Sequence, residues 1–279
     1  RLFGLERKFE KDPDLKIEYT EFIDEFLTMG HLEKVPPNDL KMPDNQINYL
    51  PHHFVEKDST TTKLRVVFDG SAKTSSGNSL NELLMVGPKI QDDLFDHILR
   101  FRMHKVVVCG DVAKMYRQVA LAHDDKEFHR ILWRSGNGKV EEYRMTRVTY
   151  GIASSSYHAI RSLQEAARDA PEAVKRAITR DFYVDDLMSG KQKKREAKNF
   201  ILALHSHLLK YGMPIRKWAS SDASIIAELP VELRRDELAF NIGDKDHVVK
   251  TLGLKWIPVT DIIPARADCV WGTGCCCTG

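Results

Sequence analysis

Two short apolar runs, each closed by aspartate, constrain this chain more than any other feature. Val106-Val107-Val108-Cys109 is apolar on consecutive residues and too short for a helix, so it reads as a buried strand with Asp111 at or near its end. Phe182-Tyr183-Val184 and Leu187-Met188 read as short strands flanking a tight acidic turn at Asp185-Asp186. Adjacent carboxylates repel, so holding two at a turn costs stability unless a cation compensates. Taken alone, an Asp-Asp pair is an ordinary solvated β-turn. Asp111 changes that reading, because residues 111 and 185 lie far enough apart for their strands to pair in one sheet. Three carboxylates at neighbouring strand ends suit two divalent metals about 3.5–4 Å apart. Such a site serves phosphoryl transfer, and it would serve a nuclease equally well.

The surrounding pattern mixes helices and strands without regular βαβ alternation, which points to an α+β fold. Residues 14–29, 91–103, 154–168 and 193–211 carry helical periodicity. Residues 48–57 and 63–69 read as extended segments joined by the polar turn Asp58 to Thr62. Strands near 129–134 and 140–146 flank the hairpin signal Ser135-Gly136-Asn137-Gly138. Further extended pieces lie at 214–219 and 249–257.

Composition is that of an ordinary globular protein: 42% hydrophobic, 29% charged, formal net charge +2. Local charge says more than the total. From Lys191 to Lys217 eight Lys or Arg accompany one acid, Glu196, and Lys57, Lys63, Arg65 and Lys73 form a second basic stretch. Alone, these are solvated faces. Four of the five cysteines follow residue 268, so the body has only Cys109, against a disulfide framework and in keeping with a reducing compartment. No apolar run reaches the length of a membrane span, and no membrane partner is expected. The missing initiator Met suggests a fragment of a longer product. The tail 262–279 ends in Gly-Cys-Cys-Cys-Thr-Gly, which lacks the CxxC spacing of a zinc site. It reads as a frameshifted or misassigned end and is expected to be unstructured.

Six segments in order carry a family resemblance: Leu64-Arg65-Val66-Val67-Phe68-Asp69-Gly70-Ser71; Gly87-Pro88-Lys89-Ile90-Gln91-Asp92-Asp93-Leu94; Asp111-Val112-Ala113-Lys114-Met115-Tyr116-Arg117-Gln118; Val148-Thr149-Tyr150-Gly151; Tyr183-Val184-Asp185-Asp186; and the Trp-closed pieces Ile215–Trp218 and Leu252–Trp256. Together they resemble the reverse transcriptases of LTR retroelements, the BEL/Pao group most closely, over roughly residues 1–261. The resemblance implies a right-hand polymerase fold, with fingers at about 1–104 and 119–150 and a palm at about 105–118 and 151–261. A thumb would be truncated or absent.

It further implies that Asp111, Asp185 and Asp186, with the Val112 backbone, hold two Mg²⁺ ions (or Mn²⁺). The reaction would be transfer of dNMP to a primer 3′-OH. Nucleotide contacts would come from Lys57, Arg65, Asp69, Tyr116, Tyr150 and Gly151. In this set Arg65 bridges triphosphate oxygens and the Tyr116 ring excludes a 2′-OH. Gly151 would let the backbone approach template and nucleotide closely. Primer and template contacts would come from Gly87, Pro88, Tyr183, Gly253, Leu254, Lys255 and Trp256. Lys217 is the candidate proton donor to pyrophosphate; a solvated lysine or a template-phosphate contact reads equally well. Without the motifs, Arg65 would be a surface charge, and Tyr116 and Trp256 core aromatics. One departure stands out: Ser154-Ser155-Ser156 occupies a place where many relatives have a proline. Implied partners are an RNA template, DNA primer and product, dNTPs, and protease, RNase H and integrase regions of one polyprotein. The implied location is a cytoplasmic virus-like particle with nuclear access. The competing expectation is a catalytically silent relic that at most binds nucleic acid.

Overall fold

The computed structural model describes residues 1–56, 64–136 and 138–235, and the backbone of two strands at 249–251 and 254–256. In chain order the elements are α1 (Leu2–Lys11), α2 (Pro13–Thr28), β1 (Leu32–Lys34), β2 (His52–Glu56), β3 (Leu64–Phe68), α3 (Leu80–Leu83), α4 (Leu94–Arg102), β4 (Val106–Val112) and α5 (Met115–Gln118). They continue through β5 (Arg130–Arg134), β6 (Val140–Met145), α6 (Ser155–Glu165), α7 (Glu172–Arg180), β7 (Phe182–Tyr183), β8 (Asp186–Lys191), α8 (Lys194–Lys210), β9 (Ile215–Ser220), α9 (Ala223–Ile226), β10 (Val249–Thr251) and β11 (Leu254–Trp256). The expected α+β class is what the chain adopts. The Cys-rich tail lies outside the described residues.

Packing divides the chain into two compact units. The first comprises residues 1–91, 114–170 and 211–213, and the second residues 92–113, 171–210 and 214–279. Helix α4 packs with β7 and β8 in the second unit, whereas α5 and α6 pack on each other in the first.

In the first unit, Asp12 caps α2 by accepting from Leu15 N at 3.0 Å, and Pro13 supplies the first helical φ. Tyr19, Ile23 and Phe26 then fall on one buried face, which meets Phe9 of α1 and Trp133 of β5. The Tyr19 ring stacks on Trp133 at 5.4 Å between centroids. The antiparallel β2–β3 hairpin pairs His52 with Phe68 and Glu56 with Leu64, and Leu64, Val66 and Phe68 point inward by strand alternation. The sheet β1-β6-β5 is fastened at one end by charge. Glu127, Arg130 and Arg144 are all buried there, and Glu127 bridges the two guanidinium groups.

The second unit is built on the antiparallel sheet β7-β8-β4-β9. Val107, Val108 and Cys109 are consecutively buried in β4, as suits a central strand. Helix α8 presents Ala197, Phe200, Ile201, Leu204 and Leu208 to the core at helical spacing. Beyond the sheet, β10 and β11 form a short antiparallel hairpin. Among the described residues no helix is long and apolar enough to cross a membrane.

Candidate active site

Strand β4 runs through Asp111 to Val112, so Asp111 lies inside the strand rather than after it. Its register partner on β8 is Asp186, which sets the two residues side by side across the sheet. Asp185 occupies the turn before β8, and its carbonyl accepts from Val112 N at 2.9 Å. Val184, just ahead of it, has φ 55°, a left-handed value that a β-branched residue rarely adopts. The expected neighbouring strands are thus present, with the acidic turn closing one of them.

On the other side of β4, the register with β9 slips. Cys109 faces Ala219 and Asp111 faces Arg216, so Gly110 alone opposes both Lys217 and Trp218. This is a β-bulge, and Lys217 takes φ 52° within it. Gly110 permits the close approach: a Cβ there would come within 2.7 Å of Ile215 Cγ2 and 3.3 Å of the Trp218 ring. The bulge aims Lys217 at the carboxylates, and its ammonium donates to Asp111 Oδ2 at 2.8 Å. Asp111 Oδ1 is buried and has no hydrogen-bond partner among the described residues.

Among the described residues no three His, Cys, Asp or Glu side chains form a ready metal-binding group. Of the three expected carboxylate residues, Asp111 and Asp186 are in register, Asp185 stands in the adjoining turn, and Lys217 engages Asp111. Mg²⁺, however, is ordinarily held by one or two carboxylates plus substrate phosphate oxygens and water, not by an all-protein cage. An in-register pair with an orphaned inward oxygen on Asp111 fits that pattern.

The other expected site residues in the described part lie largely in the first unit. Arg65 is exposed on β3, its guanidinium carbon 5.9 Å from the centre of the Tyr150 ring. Tyr150 donates to Val66 O at 2.7 Å, and burial raises the phenol pKa. Asp69 is paired with Arg1 and also accepts from Ser71 N at 3.1 Å. Gly151 has φ 89°, and a Cβ there would lie 1.9 Å from Phe68 O. Its close approach is thus to the protein's own β3, a demand additional to any ligand. Tyr116 shares a hydrogen bond of 3.0 Å with Ser156 Oγ. Gly87 and Pro88 line a cavity of about 280 Å³ with Ser156 and Tyr157, and the Tyr157 ring leaves no room for a Cβ on Gly87. In the second unit, Tyr183 packs edge-on against His97 at 5.6 Å. Leu254, Lys255 and Trp256 form β11, paired with Thr251, Lys250 and Val249. Lys57 and Gly253 lie outside the described residues.

The model of the reverse transcriptase (RNA-dependent DNA polymerase) family matches residues 31–253, well over half of the chain and all of the acidic site. The chain belongs to the reverse transcriptase family. Among solved structures, its fold is similar to that of the prototype foamy virus protease-reverse transcriptase CSH mutant. That likeness has a TM-score of 0.56 and 16% identity, and covers 73% of this chain and 24% of the other. It is also similar to the foamy viral protease-reverse transcriptase dRH in complex with double-stranded DNA, with a TM-score of 0.58, 17% identity and coverage of 87% and 34%. The likeness bears out the polymerase fold. This chain spans about a quarter to a third of the length of those two proteins. No curated protein sequence matches it.

Two features of this chain carry little signal in the sequence. Asn81 joins three segments: its Nδ2 donates to Ser71 Oγ at 2.9 Å and Gly151 O at 3.1 Å, while Oδ1 accepts from Ala153 N at 2.8 Å. A signal for its fixed position was present, since Ser79 and Glu82 flank it with the spacing of a capping box, which the structure forms. The bulge that delivers Lys217 had no sequence signal beyond Gly110.

Proposed function

We propose that this chain is the RNA-directed DNA polymerase core of a retroelement polyprotein, of the BEL/Pao LTR type, and that it adds dNMP to a primer 3′-OH. The observation that carries the reading is the register of Asp111 with Asp186 on the central sheet of a reverse-transcriptase-family chain. Asp111, Asp186 and Asp185, with the Val112 carbonyl, are the groups that would hold Mg²⁺ or Mn²⁺. Bound there, the ions supply Lewis-acid neutralisation of the reacting phosphate and attacking oxygen.

The chain's own residues divide the remaining work. Arg65, exposed and held over Tyr150, offers a planar fork of donors to triphosphate oxygens. To the Tyr116 ring, whose hydroxyl shares a hydrogen bond with Ser156, we assign the steric check on a ribose 2′-OH. Lys217 is a proton source for the pyrophosphate leaving group once its ammonium parts from Asp111. The basic residues of α8 and β9 suit sequence-independent contact with phosphates.

Primer extension tests this directly. Folded protein, a DNA primer on an RNA template, dNTPs and Mg²⁺ should give extension that falls roughly hundredfold or more in Asp111→Asn and Asp186→Asn. Absence of extension by folded wild type that binds the hybrid would leave a nucleic-acid-binding module. Cleavage of the hybrid without synthesis would instead indicate a nuclease.

A further inference from the structure

Lys217 is held on Asp111 by more than chance encounter of two surface charges. The β-bulge opposite Gly110 lifts Lys217 out of strand alternation, and the left-handed φ of 52° turns it toward β4. Trp218, the other bulge residue, is completely buried and anchors the distortion from below. Three left-handed non-glycine residues occur among the described residues, Lys114, Val184 and Lys217, and two of them border the carboxylates. Strain of this kind persists where the surrounding structure enforces it. The result is one ammonium on one oxygen of Asp111 at 2.8 Å, with the second oxygen buried and without a hydrogen-bond partner among the described residues. The Asp111 side chain is only 21% exposed, while the Lys217 side chain is 59% exposed.

We infer that Lys217 is a built-in stand-in for the metal. In the protein without substrate its ammonium neutralises Asp111 beside Asp186, and a divalent ion must displace it to gain the carboxylate. This rests on the proposed polymerase site and adds a regulatory step to it. Two in-register carboxylates repel each other, and an internal cation lowers that cost without requiring a resident metal. The displaced ammonium would then be available at the same site to whatever negative charge arrives with the nucleotide. The lysine would thereby bias metal loading toward the substrate-bound state, because free metal alone must compete with it.

The test follows Mg²⁺ and Mn²⁺ binding to the nucleic-acid-free protein, by titration and by lysine acylation read out with mass spectrometry. Lys217 should label faster as metal is added, while exposed lysines outside this ion pair, such as Lys11, keep their rates. Lys217→Met should bind Mn²⁺ roughly two- to fivefold more tightly, the range expected for loss of a partly exposed ion pair. Lys217→Arg, which keeps the charge and grips a carboxylate with two donors, should bind it no more tightly than wild type. Asp111→Asn should abolish the response. Metal binding that depends on Asp111 with unchanged Lys217 labelling overturns the stand-in alone. Absence of Asp111-dependent binding overturns the metal site itself, and the stand-in with it.

Discussion

At the scale of single residues, Gly151 shows how backbone geometry limits the choice of side chain. Its φ of 89° belongs to glycine, and its missing Cβ makes room for Phe68 O at a distance no substituted carbon can share. Gly151→Ala should therefore destabilise the protein by about 3 kcal/mol or more, from backbone strain plus the clash. Urea unfolding measures it, and a loss below about 1 kcal/mol would show that the 150–153 turn relaxes freely. Val184 is the converse case, a β-branched residue at φ 55°. Asn tolerates that region, so Val184→Asn should raise stability by about 1 kcal/mol, and an unchanged unfolding midpoint would count against strain at this turn. His129 carries a pH dependence. Burial holds its pKa down at about 4, against an ordinary 6.5. Between those values the unfolded chain binds a proton that the folded chain refuses, so stability falls as pH drops from about 6.5 toward 4. The loss is about 3 kcal/mol at most. His129→Gln should flatten that part of the stability profile, and an unchanged slope would assign the dependence to other groups.

Among the elements, the first unit's sheet depends on a buried ionic cluster more than its strand pattern suggests. Arg130 donates to Glu127 at 2.6 Å, to Glu142 at 3.0 Å and to Asp39 O at 2.7 Å, while Arg144 reaches Glu33 and Asp39, each at 2.8 Å, as well as Glu127. Removing the shared partner leaves two guanidinium groups buried without their central carboxylate. Glu127→Ala should then cost about 3–5 kcal/mol, read by chemical denaturation with amide exchange in β5 and β6. A cost below about 1 kcal/mol would mean that water or the flanking acids replace it. None of this is visible in sequence, where Glu127, Arg130 and Arg144 look like surface charges. The elements themselves are more legible. Helix α2, the β2–β3 hairpin, β5, β6 and α8 follow from periodicity and turn residues. Helices α1 and α7 do not stand out: α7 buries only Val174, Ala177 and Ile178, too few positions to separate a helical period from coincidence. Strands β4, β7 and β8 were legible as short apolar runs, but the slip at Gly110 and the pairing of Lys217 with Asp111 arise from contacts over more than a hundred residues of chain.

For the molecule as a whole, the chain passes between its two units after Gln91, Ala113, Ala170, Lys210 and Met213. Ordered motifs identify the family because they are local, whereas this interleaving depends on which distant segments pack together, and composition does not signal it. The second unit has a specific vulnerability in consequence. Strand β4 enters the chain early, but both its partners come late: β8 at Asp186–Lys191 and β9 at Ile215–Ser220. A fragment ending at Ala170 keeps nearly all of the first unit and also carries β4 with two unpaired edges. Val107, Val108 and Cys109, buried in the full chain, would then lie on an exposed apolar strand, which is a template for association. The complementary piece from Pro171 onward would hold β8 and β9 without the strand that joins them. Residues 1–170 should accordingly form soluble oligomers or aggregates, while the full chain shows slow amide exchange along β4. Size-exclusion chromatography with hydrogen exchange decides the matter. A monomeric 1–170 fragment with protected β4 amides would show that this strand is satisfied within the first 170 residues, and that the late strands are not needed to complete the site bearing Asp111.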